Sequence, residues 1–247
     1  MKLGLDGRTA IVCGASSGMG LAIAEALAAE GANVAMLARR RDVLEREAER
    51  LGALAVRGDV TVPADLERLV EQTLAAFDGV DVVVLNTGGP PPGPASEITE
   101  DSVESAFELV LLSAVRLVRL CLPHLKRSGR GRIIAITSSA VKEPTANLGL
   151  SNTIRPGVVG YLKSLANELG PEGITVNCVA PGRIETARLG QLYPDGPSEH
   201  DLAQIPLRRW GSPREFAEVV CFLASDCAAY VTGATIPVDG GLTRGLL

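Results

Sequence analysis

The sequence predicts a single α/β domain over residues 1–247, doubly wound around a seven-stranded parallel sheet with helices on both faces. Three observations carry that prediction. Short β-branched apolar runs alternate with longer segments of helical period, the runs are apolar at every position, and a glycine-rich turn joins the first run to the first helical segment. Strands that are apolar on both sides are what a parallel sheet needs when helices cover both its faces.

In chain order the runs are TAIVC, NVAMLA, ALAVRG, VDVVVLN, RIIAIT, GITVNCVA and ATIPVDGG. Between them lie the helical segments GMGLAIAEALAAEG, RDVLEREAERLG, VPADLERLVEQTLAAF, DSVESAFELVLLSAVRLVRLCLPHLKRSG, VVGYLKSLANELG and PREFAEVVCFLAS. Crossovers in such a sheet are right-handed, and ligands sit beyond the carboxyl ends of its strands. No repeat or linker divides the chain. Residues 181–204 (PGRIETARLGQLYPDGPSEHDLAQ) form the longest irregular stretch, too long for a passive connection, and are read as a substrate lid.

Composition narrows the function classes. Hydrophobic residues make up 46% and charged ones 21%, as in an ordinary globular domain, while aromatics at 3% leave the core to Ala, Val, Leu and Ile. A net charge of −5 gives no reason to expect nucleic acid or an anionic membrane as a partner. No apolar run has the length of a membrane helix. The cysteines Cys13, Cys121, Cys178, Cys221 and Cys227 are scattered, mostly in apolar runs, and read as buried thiols of a reducing compartment. With only His124 and His200 and no CxxC pair, no metal site is expected. The reading is a soluble, cytoplasmic protein.

Gly14, Gly18 and Gly20 stand between the first strand and the first helix. Glycines there permit a tight turn and let a pyrophosphate approach the backbone, where a helix N-terminus offers free N–H groups. The alternative is a tight turn and nothing more. The second strand ends in Arg39, Arg40 and Arg41. A carboxylate at this place binds the ribose 2′-hydroxyl of NAD, whereas an Arg accommodates a 2′-phosphate. Arg39 therefore points to NADP(H) rather than NAD(H), unless the three arginines are only a solvated helix start.

The spacing G-x3-G-x-G in GASSGMG resembles that of the short-chain dehydrogenases/reductases, and the resemblance runs end to end. It continues through GDVT, VVVLNTGG, GRIIAITSS, VAPGRIETARL and YVTGATIPVDGG, and within the family the likeness is to the beta-ketoacyl carrier-protein reductases. The resemblance implies a dinucleotide-binding (Rossmann) domain with the cofactor held by Gly14, Ser16, Ser17, Gly18, Met19 and Gly20, and by Arg39 at the 2′-phosphate. It also implies Asp59 and Val60 near the adenine, Asn86 and Gly88 after the fourth strand, and Arg155, Pro181, Gly182, Ile184 and Thr186 beyond. It implies further that the long fourth and fifth helices pair between subunits in a homotetramer or homodimer.

The family reduces carbonyls with a Ser that orients the oxygen, a Tyr acid, a Lys that tunes the Tyr and an Asn that anchors a relay. Counted without gaps, the Ser falls on Ser138, the Tyr on Ser151, the Lys on Arg155 and the Asn on Val110, while Leu85 stands in place of another family Asn. Tyr161 and Lys163 are too close in sequence to share a helix face, and no Tyr-x3-Lys occurs anywhere. Ser138, Ser151 and Arg155 are the catalytic candidates that remain. An aliphatic hydroxyl is a poor proton donor, and Arg stays charged.

Pro156 is comfortable only in a first turn, which predicts Asn152 or Thr153 as the helix cap, with Ser151 outside the helix. Arg155 would then lie at a helix N-terminus, an anion-attracting corner for phosphate or carboxylate, the alternative being a surface arginine with no ligand. Replacement acids are Ser138, Ser139, Lys142, Tyr193 and His200, whereas His124 reads as a capping residue.

The leading expectation is an NADP(H)-dependent oxidoreductase acting on a C=O or related double bond of a small molecule, anionic or a thioester. The competing one is a nucleotide-binding sensor or scaffold without turnover. An enoyl or imine reductase is a third.

Overall fold

The computed structural model describes residues 2–245. Strands β1 (Thr9–Cys13), β2 (Asn33–Ala38), β3 (Leu54–Arg57), β4 (Val82–Leu85), β5 (Arg132–Ile136), β6 (Thr175–Pro181) and β7 (Thr235–Val238) form one parallel sheet in the order β3-β2-β1-β4-β5-β6-β7. The helices are α1 (Gly18–Ala29), α2 (Arg41–Leu51), α3 (Pro63–Phe77), α4 (Glu100–Phe107), α5 (Ser113–Ser128), α6 (Gly149–Leu169), α7 (Ala187–Leu192), α8 (Glu199–Ala203) and α9 (Pro213–Ala224).

The apolar strands divide by a period of two, because successive side chains leave a strand on opposite faces. Ile11, Cys13, Leu37, Val83, Ile133 and Cys178 meet α3, α5 and α6 through Leu69, Leu117 and Leu162. Val12, Met36, Val84, Ile134 and Val179 meet α1, α2 and α9 through Ile23, Leu44 and Phe216. Both faces are dry, as the sequence predicts. At the amino end of the sheet Arg8 is fully buried, donates to the Ala224 carbonyl (3.1 Å) and pairs with Asp226, fastening the end of α9 to β1. Four thiols are buried, and burial pushes that of Cys13 up to about 12, while Cys227 is exposed.

Four segments depart from the sequence reading. Residues 101–128 are helical without a break, as read, but not uniformly α: a π-helical segment, Glu108–Leu112, joins α4 to α5 and buries Val110. His124 caps nothing. It lies within α5, which Gly129 closes in the left-handed conformation, and its Nδ1 meets the Arg127 guanidinium (2.8 Å). Burial, then the charge of Arg127, holds its pKa below the usual range. Residues 181–204 are not irregular throughout either: Pro181 ends β6, and α7 and α8 follow, capped by the hydroxyls of Thr186 and Ser198.

The fourth departure matters most for the site. α6 starts at Gly149, so Ser151 lies inside its first turn, and Pro156 falls within the helix on its exposed side. Tertiary contact overrides the proline signal. The Gly149 N–H donates to the Gly93 carbonyl (3.0 Å) and the Gly93 N–H to the Asn147 carbonyl (2.8 Å), a bridge that fixes where the helix begins. Asn152 does not cap. It clamps the preceding loop, accepting from the Thr145 N–H (3.1 Å) and donating to the Thr145 carbonyl (2.9 Å). Thr153 does not cap either, since its hydroxyl donates back to the Gly149 carbonyl (2.8 Å).

Among the described residues, no group of three His, Cys, Asp or Glu gathers as metal ligands would, and no helix is long and apolar enough to cross a membrane.

The helix entry gives a paired stability prediction. A Cβ on Gly149 would stand 2.8 Å from the Ala95 Cα, so Gly149→Ala must move backbone and should cost about 1–3 kcal/mol. Gly160, in the same helix, has nothing within 4 Å of a Cβ, so Gly160→Ala should be neutral or stabilise by about 1 kcal/mol. Urea unfolding of both variants checks the contrast, and equal midpoints would remove the claim that Gly93 and Ala95 set the entry.

Candidate active site

The turn after β1 folds back on itself. Gly14 and Gly18 have positive φ (61° and 57°), and a Cβ on Gly20 would stand 2.3 Å from the Gly14 carbonyl oxygen. Asn86, after β4, donates through Nδ2 to the Cys13 carbonyl (3.0 Å) and lies where a Cβ on Gly14 would need to be. Asn86 therefore braces the turn, a positioning role. Ser16 is buried. Ser17 precedes α1 as its N-cap residue, yet its side chain takes no capping hydrogen bond, which leaves that hydroxyl and the first-turn N–H groups open. Thr186 leans on this turn, its methyl 3.3 Å from a Cβ built at Gly18.

Next to the turn, at the end of β2, the Arg39 side chain is 80% exposed, with Nη1 3.8 Å from Asp59 Oδ2. Asp59 Oδ1 accepts from the Thr61 N–H (3.0 Å) and hydroxyl (2.9 Å), which fixes the loop after β3. Arg41 is occupied with Glu45 at 2.8 Å, so of these two Arg39 is the freer guanidinium. Val60 is half-buried, and Gly88 has nothing within 4 Å of a Cβ position.

Beyond lies a cleft of about 590 Å³, reached by Met19, Thr87, Ser138, Ser139, Ser151, Arg155, Pro181, Gly182, Ile184, Thr186, Arg188 and Tyr193. The chain thus gathers residues from the ends of β1, β4, β5 and β6, from α6 and from α7. Ser138 Oγ accepts from the Ala140 N–H (3.1 Å), which orients its hydroxyl. Ser151 and Arg155, one helical turn apart, share a face of α6.

Arg155 is not at a helix N-terminus and is no surface residue. It sits in the second turn, only 7% exposed, between the cleft and a small cavity of about 20 Å³ lined by Cys13, Leu85, Val110 and Ala135. Its Nη1 donates to the Ile136 carbonyl (3.1 Å), and no carboxylate pairs with it among the described residues. Burial, then the nearby Arg188 cation, pushes its pKa down to about 10, so it stays charged at neutral pH.

Of the five replacement acids, Ser138, Ser139 and Tyr193 line the cleft, whereas Lys142 and His200 are exposed away from it. The Tyr193 ring stacks edge-on to Trp210 (5.6 Å between centroids) and lies under Arg183 (5.3 Å). Tyr161 packs against the core instead, and Lys163 donates to the Gly233 carbonyl (2.8 Å). No lysine is among the described residues lining the cleft. Two cleft residues escape the sequence reading. Arg188 donates to the Pro90 carbonyl (2.6 Å), and Arg183 to the Asp201 carbonyl (2.8 Å). Their only signal is their place within PGRIETARL, which does not fix where a side chain turns.

Known proteins share this architecture. The family model described as Enoyl-(Acyl carrier protein) reductase matches residues 14–243. The Nodulation protein G of Rhizobium sp. (strain N33) is 40% identical over 242 residues, covering 96% of this chain and 98% of that protein. The 3-oxoacyl-acyl-carrier-protein reductase FabG of Escherichia coli (strain K12) is 38% identical over 244 residues, covering 97% and 99%. Among solved structures, the L-sorbose reductase of Gluconobacter frateurii, complexed with NADPH and L-sorbose, superposes with a TM-score of 0.93 at 32% identity over 100% of both chains. YwfH, an NADPH dependent reductase involved in bacilysin biosynthesis, does so with a TM-score of 0.93 at 28% identity, covering 97% and 99%. With its fold, its glycine turn and these relatives in agreement, the chain belongs to the short-chain dehydrogenase/reductase family.

Proposed function

We propose that this chain is an NADP(H)-dependent oxidoreductase that reduces a carbonyl or related double bond of a small molecule, with proton delivery rearranged from the family's. One observation carries the reading: the glycine turn, Arg39 and the cleft with Ser138 all lie at the carboxyl edge of one sheet. The turn fits a pyrophosphate, because positive φ at Gly14 and Gly18 folds it tightly and the first-turn N–H groups of α1 are open. Arg39 would grip a 2′-phosphate as a planar fork. The L-sorbose reductase and YwfH are both described with NADPH, which supports the same cofactor here.

A bound dihydronicotinamide supplies the hydride. The chain must then neutralise the charge that grows on the substrate oxygen and deliver a proton. Ser138, oriented by the Ala140 N–H, donates to that oxygen. Ser151 and Arg155 face the same space, and Arg155 adds a fixed positive charge without giving up a proton. Tyr193 is the phenol of the cleft, a better donor than any hydroxyl beside it. Residues 181–204 act as the substrate lid, and the chain works in the cytoplasm as a homodimer or homotetramer.

A nucleotide-binding protein without turnover is the second reading. Val110, Ser151 and Arg155 favour it, since they stand where the family resemblance places Asn, Tyr and Lys. The two readings part on one experiment. Both predict NADPH binding by fluorescence, but only the first predicts NADPH oxidation with some carbonyl, enoyl or imine compound.

Two substitutions test the parts. Arg39→Asp should weaken NADPH at least tenfold, the loss of one charge-assisted contact of about 1.5–3 kcal/mol, and leave NADH nearly untouched. Unchanged NADPH affinity in a fluorescence titration would refute the 2′-phosphate assignment. Tyr193→Phe should lower kcat about 100-fold with the NADPH Kd unaltered, and an unaltered kcat would exclude Tyr193 as the donor.

A further inference from the structure

A buried guanidinium without a counter-ion is the molecule's least expected feature. Arg155 is 7% exposed, satisfies one N–H on the Ile136 carbonyl, and leaves the rest of its donors to the cleft and the small cavity beside it. Arg188, on α7, also lines the cleft; it is exposed, pairs with no carboxylate among the described residues and donates to the Pro90 carbonyl (2.6 Å). The cleft's other cations are engaged elsewhere or peripheral. Arg183 is matched by Asp201 at 3.6 Å, while Arg244 lies near the described end of the chain. Glu143, the one carboxylate among the described lining residues, accepts from the Arg244 N–H (3.2 Å). An unpaired charge in such a place requires a partner that arrives with the ligand.

The position of the pair chooses between two sources of anion. The phosphates of a dinucleotide belong to the turn after β1 and to Arg39 after β2. Arg155 is bonded to the end of β5, two strands from β1 in the sheet, or about 10 Å away at ordinary strand spacing. Its neighbours there are Ser138, Thr137 and Ser151, the groups that would face the reacting end.

We propose that Arg155 and Arg188 form a carboxylate receptor, and that the molecule reduced is a small organic acid whose carboxylate adjoins its reducible double bond. The inference rests on the reductase reading above and adds the substrate class to it. Arg155 offers a planar fork that matches a carboxylate, Arg188 closes from the α7 side, and the serine hydroxyls complete the donor set. A neutral substrate of the same shape would leave the buried Arg155 guanidinium unpaired.

Calorimetric titration tests this with 2-oxobutyrate and crotonate as probes, set against 2-oxobutanamide and crotonamide, with and without NADPH. The expected result is that at least one acid binds ten or more times tighter than its amide. Arg155→Met should abolish that preference while changing the NADPH Kd less than threefold, and Arg155→Lys should keep part of it. Arg155→Met removes a buried charge, so its melting temperature without ligand should equal or exceed that of the parent, which separates lost recognition from misfolding. Equal binding of acid and amide, no binding of either acid, or an unchanged preference in Arg155→Met overturns the proposal. So does a parallel loss of NADPH in that variant, which would give Arg155 to a cofactor phosphate. Failure of the parent protein to bind NADPH would refute the reductase reading alone, because the acid and amide titrations without cofactor still decide the receptor.

Discussion

A parallel sheet whose two faces are both dry imposes the layout of everything else. Each strand must be followed by a return over one face, so all carboxyl ends emerge at a single edge. The backbone there has run out of sheet partners, and whatever loops follow must satisfy it. That is the setting of the Asn86 amide on the Cys13 carbonyl, of the Thr137 hydroxyl on the Val179 carbonyl and of the Arg155 guanidinium on the Ile136 carbonyl. The same edge that needs polar caps thereby sets polar groups into the wall of a cleft. The opposite edge is closed by a different device, the buried Arg8 and Arg132 around the end of α9.

What the sequence reveals follows from how local each signal is. The strands are legible because burial on both faces leaves no room for polar residues, and the glycine turn because three closely spaced glycines answer a steric need within one turn. Pro156 misleads for the opposite reason. Its preference for a first turn is worth about 3 kcal/mol, and it yields when Gly149 is fixed from outside by Gly93 and Ala95. The π-helical segment around Val110 has no sequence signature, because the same residues would serve an α-helix. Arg155 is recognisable as a departure from the family pattern, but not its burial, since nothing in IRPG says which way a long side chain turns. Arg188 and Tyr193 belong to a segment whose course depends on the packing of Tyr193 on Trp210 and of Thr186 on Gly18, and such contacts are not written locally.

The site also separates residues that hold the frame from residues that face the cleft. A Cβ added at Gly14, Gly20 or Gly149 would run into Asn86, the Gly14 carbonyl or Ala95, so these positions admit little but glycine and hold the frame. Ser151 and Arg155 line the cleft, where side chains of other size and charge can be accommodated, whereas Val110 is buried beside the small cavity. The reductase relatives and this chain therefore share a frame without needing to share a proton donor.

The small cavity beside Arg155 has a consequence of its own. Leu85, Val110 and Ala135 line it together with Asn86, Ser113 and Thr137, so the guanidinium has a mostly apolar wall on one side and the cleft on the other. Lines of force from the charge are little screened on that side and spread into the cleft. At an effective dielectric constant of about 20, a unit charge 6 Å away still feels roughly 3 kcal/mol, equivalent to about two orders of magnitude in a rate. A negative charge developing anywhere near the mouth of β5 is thus favoured before any hydrogen bond forms, and electron-rich intermediates are the ones this pocket is poised to accommodate.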